Sequence, residues 1–215
     1  KEYRRQRQMC IRDRFIKGVS NMMEFIKSIQ DRNQTYQVLS KISNPIVCEV
    51  GVRLGDYFDI LLTPNVIEAY GVDIWRSTDS IGQNDNLYNQ EVLDLQYNKV
   101  FNKYKNDNRV RLIREFSVNA AKFFPDYYFD FIYIDADHTY EAVKKDLESW
   151  YPKLKKNGIL SGHDYISGEK TLELGHSVPF GVIEAVSDFR KVNNIKNSEF
   201  HVTNELYGSY FILKL

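Results

Sequence analysis

Two short stretches carry residue types that do chemistry. In FDFIYIDADHTYEAV, 129–143, an apolar run ends in Asp135, Asp137 and His138; in NGILSGHD, 157–164, another ends in His163 and Asp164. If these runs are neighbouring strands, about 4.8 Å apart, Asp135 and Asp164 face one another at their carboxyl ends. In an open α/β sheet that edge is the ligand crevice. Two carboxylates so placed repel unless a cation or a proton lies between them. A Mg2+-like ion with oxygen ligands and retained waters suits the pair, and it would lower the pKa of a substrate hydroxyl. The candidate metal ligands are Asp135, Asp164 and His163. Without a cation, one carboxyl is expected to carry a proton near neutral pH.

The candidate catalytic residues are His138, His163 and Asp135. His138 is either a general base, since a neutral imidazole titrates near working pH, or a residue that shapes its loop. His163 is a ligand, a base or a hydrogen-bonded strand end. Asp137 reads as the N-cap of the helix that follows rather than as a ligand. His176 and His201 read as surface residues.

A third stretch, EVGVRLG, 49–55, lies where a first strand turns into a first helix. It is neither G-x-G-x-x-G nor a P-loop. Gly51 lets the backbone approach a ligand, and Gly55 lets the helix start pack closely. Glu49 is an anion and suits a ligand amine better than a pyrophosphate. Asp73 follows Gly51 by 22 residues, near the offset of ~20 at which doubly wound folds place an acid on a ribose. Ile74 beside it is placed to flank an adenine ring.

These residues need a sheet to hold them. Strand-like runs at 45–50, 66–74, 109–113, 129–135 and 157–164 alternate with helical patterns near 55–62, 91–104, 117–124, 139–151 and 181–193. That alternation predicts a Rossmann-like, doubly wound, mostly parallel α/β sheet of seven strands. Ser117 is the expected N-cap of its helix, and EFHVTNELYGSYFILKL, 199–215, reads as an antiparallel hairpin at the sheet edge. Residues 75–90 and 165–180 read as loops that form the acceptor site, with 165–180 a candidate lid. Residues 1–14, KEYRRQRQMCIRDR, look like an artefactual tail resembling translated adapter sequence. Residues 15–44 form an N-terminal helical segment, and 45–215 form the main domain.

Composition narrows the classes. The chain has 215 residues, 43% hydrophobic, with 29 basic and 29 acidic side chains. Zero net charge argues against a nucleic-acid partner, because phosphate binding needs a basic surface. No apolar run approaches ~18 residues, so no membrane span is expected. Two cysteines give no disulfide framework and favour the cytoplasm. Cys48 reads as a small buried hydrophobe. A small-molecule acceptor is the expected partner; the oligomeric state stays open, a homodimer included.

EVGVRLG, GVDIW and FSVNAAKFF resemble the class I S-adenosylmethionine-dependent methyltransferases over roughly residues 45–213. The pattern YIDADHTYEAVKKDLESWYPKLKKNGILSGHDY…PFGVIEAVSDF is similar to a subgroup that methylates sugar, antibiotic or small-molecule hydroxyls. Catechol-type metal-dependent enzymes are more distantly similar. The resemblance implies S-adenosylmethionine as cofactor, Glu49 on its methionine amine, Asp73 on the ribose diol and Phe116–Ser117 at the adenine edge. The cofactor-binding candidates are thus Glu49, Gly51, Gly55, Asp73, Ile74, Phe116, Ser117 and Asp135. The implied activity is O-methylation, with metal assistance open. Two alternatives stand beside it: a metal-dependent glycosyltransferase using Asp135-Ala136-Asp137 as D-x-D, and a degenerate cofactor-binding fold without activity.

Overall fold

The computed structural model describes residues 22–77 and 89–215. The proposed tail, 1–14, and most of the 75–90 loop lie outside these residues. Seven strands form one sheet: β1 Ile46–Val50, β2 Glu68–Asp73, β3 Val110–Arg114, β4 Phe129–Ile134, β5 Leu154–Tyr165, β6 Phe200–Val202 and β7 Gly208–Leu213. Their order is β3-β2-β1-β4-β5-β7-β6. The first five run parallel, and β7 is antiparallel to both β5 and β6. The expected mostly parallel, doubly wound sheet is present. The terminal hairpin is an antiparallel pair at the sheet edge, as expected. β7 inserts beside β5 with all six residues buried, and the short β6 takes the edge.

Strands that are apolar on both faces need cover on both. On one face Cys48, Val50, Ile132, Ile134, Leu160, Tyr210 and Ile212 pack with Val143, Leu147 and Trp150 of the helix Tyr140–Trp150 and with Val182, Ala185 and Phe189 of the helix Val182–Val192. On the other, Val47, Phe131, Tyr133, Ile159 and Phe211 pack with Phe58 and Leu61 of the helix Phe58–Leu61 and with Val100 and Tyr104 of the helix Gln90–Tyr104. Met23, Ile26, Ile29, Val38 and Leu39 join this second core. The segment from 22 to 44 is therefore part of the packed body.

Local structure departs from the sequence reading where tertiary contacts override local pattern. The first helix shrinks to four residues, Phe58–Leu61. The 165–180 segment holds a helix, Gly168–Glu173, capped by Ser167. Trp75, assigned to a polar loop, is fully buried with φ of 38°. Its indole N–H donates to the Arg53 carbonyl at 2.9 Å, which ties the end of β2 to the glycine loop. Cys48 is buried and free, as its apolar surroundings predict. Among the described residues no helix is long and apolar enough to cross a membrane.

Candidate active site

β1, β2, β4 and β5 end on the same edge, and their last residues build the site. Glu49 is 2% exposed, and its Oε2 has no hydrogen-bond partner among the described residues. Burial pushes its carboxyl well up, and the charges of Asp135 and Asp73 push the same way. A buried oxygen without a partner is costly, so Glu49 is suited to a ligand that brings a donor.

Gly51 has φ of 96°, in the left-handed region that favours glycine. A Cβ there would fall 1.9 Å from the Asp135 carbonyl oxygen. The close approach that demands glycine is thus to the end of β4, where the sequence reading had placed the ligand. Gly51 and Asp135 continue the sheet past its strands, the Gly51 N–H donating to Val72 O and the Asp135 N–H to Val50 O. Gly55 also has positive φ, 78°, and its carbonyl accepts the Tyr104 hydroxyl at 3.1 Å.

Asp73 closes the glycine loop. Its carboxylate accepts the backbone N–H of Arg53 and of Trp75, each at 2.8 Å. Burial raises its pKa, and backbone N–H donors from Trp75, Arg53, Val52 and Ile74 work against that rise. Ile74 is half-buried directly after it.

Phe116 is 46% exposed at the end of the β3 connection. Ser117 is the first residue of the helix Ser117–Ala120, with Phe116 in the cap position. The serine hydroxyl does not cap. It donates to Asp146 Oδ1 at 2.5 Å and accepts the Trp150 indole N–H at 2.8 Å. The side chain therefore anchors this turn to the helix Tyr140–Trp150.

Asp135, His138 and Asp164 converge, with one ligand atom from each lying within 4.8 Å of the others. His138 Nε2 is 2.8 Å from Asp164 Oδ2 and 3.4 Å from Asp135 Oδ1. His163 stands beside them, its Nδ1 3.3 Å from Asp164 Oδ1 and 3.8 Å from Asp135 Oδ2. Asp164 has φ of 56°, a left-handed conformation that Asp tolerates better than most residues. It turns the chain at the end of β5. Asp137 accepts the Thr139 N–H at 2.8 Å. Thr139 is the N-cap residue, so Asp137 steadies the helix start from two positions upstream.

The electrostatics correct one expectation. Neither burial nor mutual repulsion leaves Asp164 protonated. Burial would raise its carboxyl, but hydrogen bonds from His138 and His163 outweigh burial and hold it well below the usual range. Burial by itself would lower the His138 pKa. Hydrogen bonds to Asp135 and Asp164, with their charges, reverse that and carry it to about 10. His138 thus stands between the two acids as a cation-forming group.

Two features of the site were missed in the sequence. Arg32 Nη1 reaches Asp135 Oδ2 at 3.2 Å; only the long-range fold brings residue 32 to this edge. Phe180 packs on the His138 ring at 4.5 Å between centroids, and the Gly181 N–H donates to the His138 carbonyl at 2.8 Å. His176 is half-buried, packed on Phe180 and 2.9 Å from the Tyr207 hydroxyl. His201 Nε2 lies 2.9 Å from the Ile29 carbonyl. Neither of these last two histidines is a plain surface residue.

A cavity of about 10 Å³ borders Asp135, His138, His163 and Tyr210, room for about one water. A hollow of about 230 Å³ lies beside β3, lined by Tyr97, Phe101, Tyr104 and Arg111 among others. None of the acid-cluster residues lines it, so the chemistry is assigned to the strand ends.

A family model described as a methyltransferase domain matches residues 48–165, more than half of the chain. No sequence among curated proteins matches. The O-methyltransferase NovP is similar in fold, with a TM-score of 0.61 and 16% identity over 88% of this chain and 81% of that one. A methyltransferase-assigned protein from Streptococcus mutans, in complex with SAH, has a TM-score of 0.55 and 16% identity, covering 84% and 96%. Spermidine synthase in complex with the transition-state analogue AdoDATO has 0.52 and 17%, covering 80% and 56%. At such identities the likeness is one of fold, and the fold hosts more than one reaction. With the glycine loop, the acid ending β2 and the matching domain model in one register, the chain belongs to the class I S-adenosylmethionine-dependent methyltransferases.

Proposed function

We propose that this methyltransferase transfers the methyl group of S-adenosylmethionine to a hydroxyl of a small molecule or sugar at the Asp135–His138–Asp164 cluster. The observation that carries this reading is that cluster itself, standing at the strand ends next to the donor-starved carboxylate of Glu49. A hydroxyl acceptor must lose a proton, and a cation held between the two carboxylates favours the ionised hydroxyl. The O-methyltransferase NovP shares the fold.

The residues present fit the methyl donor. Glu49 takes its ammonium with the unpartnered Oε2. Asp73 accepts the ribose hydroxyls, already oriented by the Arg53 and Trp75 amides. Ile74 and the exposed Phe116 border the adenine, and Gly51 and Gly55 keep the loop close to the sheet. Asp135, half-buried beside Gly51, faces the methyl to be transferred. The same edge fits a divalent cation. Two carboxylates and an imidazole nitrogen form a mixed oxygen and nitrogen donor set. Asp135, Asp164 and His138 would hold the ion, with His163 at the rim. When bound, it supplies a lowered pKa to the acceptor hydroxyl. The chain's own residues do the rest. Phe180 and Gly181 fix His138, and the 165–180 segment, with its helix, walls the acceptor.

The D-x-D glycosyltransferase alternative needs Asp135 and Asp137 on one ion. Asp137 instead holds the Thr139 amide, and the family match places the chain elsewhere.

The test is methyl transfer from S-adenosylmethionine to a panel of sugars, catechols, amino acids and polyketide alcohols, with and without chelator. Turnover on hydroxyl acceptors supports the reading. Transfer confined to nitrogen or carbon acceptors overturns the O-methyl assignment, and undiminished turnover in excess EDTA overturns metal assistance.

A further inference from the structure

Tyr210 lies in β7, opposite Gly162 of β5. Gly162 in turn pairs with Ile134, the last residue of β4. A Cβ on Gly162 would fall 2.4 Å from the Tyr210 hydroxyl and 2.5 Å from the Ile134 carbonyl oxygen. The missing side chain is what lets the phenol lie across β5, with its hydroxyl at the end of β4. Tyr210 is 1% exposed, and its hydroxyl has no hydrogen-bond partner among the described residues. A buried hydroxyl left unpaired is costly, whereas phenylalanine would fill the same space without that cost.

The hydroxyl borders a space of its own. Tyr210 is on the wall of the cavity of about 10 Å³ beside the acid cluster, whose apolar side is Ile134, Val143 and Val182. The other polar side chains on that wall belong to Asp135, Asp137, His138 and His163. Empty cavities are apolar, and a buried water needs about two to four polar partners. This cavity has the size of a single water and polar groups around it. Burial, with the charges of Asp146 and Asp135, pushes the Tyr210 pKa well up. The phenol therefore keeps its proton and has a hydrogen to donate.

We propose that the cavity is a site for one internal water, which accepts the Tyr210 hydroxyl and ties it to the 135–138 turn, making Tyr210 a positioning residue for Asp135 and His138. The inference rests on the reading of that cluster as the reacting site. Through the water, β7 steadies the turn that carries one acid and the imidazole. Loss of such an outer partner weakens metal binding by about 10- to 100-fold.

The experiment compares the wild-type chain with Tyr210→Phe. A high-resolution crystal structure of the wild type should show one ordered water within hydrogen-bond distance of both Tyr210 Oη and the 135–138 turn. Its absence would overturn the site. Tyr210→Phe should lower Tm by roughly 2–4 °C, the scale of one lost hydrogen bond in a chain of this size. A raised Tm is the result for a hydroxyl that is merely unpaired, and it would overturn the proposal. Calorimetry should give Mn2+ affinity about tenfold weaker in the variant, with S-adenosylhomocysteine affinity within about threefold of wild type. In turnover, kcat should fall about tenfold while the KM for S-adenosylmethionine stays unchanged. Equal losses on cation and nucleoside, or none on either, would overturn the positioning role. If the wild type binds no Mn2+, metal assistance fails, and the ordered water, the sign of the Tm shift and the split between kcat and KM still decide the Tyr210 assignment.

Discussion

His138 Nε2 lies 2.8 Å from Asp164 Oδ2, so an imidazole from the turn after β4 closes on a carboxylate at the end of β5. Asp135 Oδ1 lies 3.4 Å from the same nitrogen. The imidazole occupies the place that a divalent ion would take between the acids. As a general base it must first give up its proton, and the two carboxylates oppose that. Binding a cation there releases them from that role and frees the ring to ligate.

Asp164→Asn should abolish Mg2+ or Mn2+ binding measured by calorimetry and lower methyl transfer by about 10²-fold or more, since it removes a central oxygen ligand. S-adenosylhomocysteine affinity should stay within about threefold of wild type. Cation binding of wild-type strength in this variant would remove Asp164 from the metal site.

Asp73→Ala should weaken S-adenosylhomocysteine binding by about 1–3 kcal/mol through loss of the ribose acceptor. It should also lower stability, because the Arg53 and Trp75 amides lose their partner. Asp73→Asn retains one oxygen acceptor and should recover most of the stability with less of the affinity. Wild-type affinity in both variants would refute the ribose assignment.

Gly51→Ala should destabilise the protein even without ligand. The added methyl meets the Asp135 carbonyl, and the backbone holds φ of 96°. A cost of roughly 3 kcal/mol or more is expected, lowering Tm by roughly 6–12 °C for a chain of this size. A Tm within a degree or two of wild type would show that β1 and β4 yield freely at this point.

Asp146 provides a pH signature away from the acid cluster. Burial raises its carboxyl to about 6, against the hydrogen bond from Ser117, which lowers it. The native state therefore holds more protons than the unfolded chain between about pH 4 and pH 6. This contribution to stability is present at low pH and is lost as pH rises through that window, levelling above it. Its size is about 2–3 kcal/mol. Asp146→Asn keeps an acceptor for Ser117 and should abolish the decline. Urea denaturation of both proteins across this range measures the difference, and parallel curves would refute the assignment.

The sequence by itself determined the sheet and which residues end its strands. Alternating apolar runs and amphipathic helices report burial on both faces through local periodicity. The positions of Glu49, Asp73, Asp135 and Asp164 follow because a parallel sheet brings all its carboxyl ends to one edge. Tertiary structure alone decided what those residues touch. Ser117 anchors to Asp146 and Trp150 instead of capping, and Gly51 is required by the Asp135 carbonyl. Phe180 and Gly181 pin His138, and Arg32 arrives from a segment fixed to the turn between β6 and β7. Each of these contacts joins residues far apart in the chain. No local pattern records such a contact, because the free energy that selects it comes from packing and pairing made only when the sheet closes.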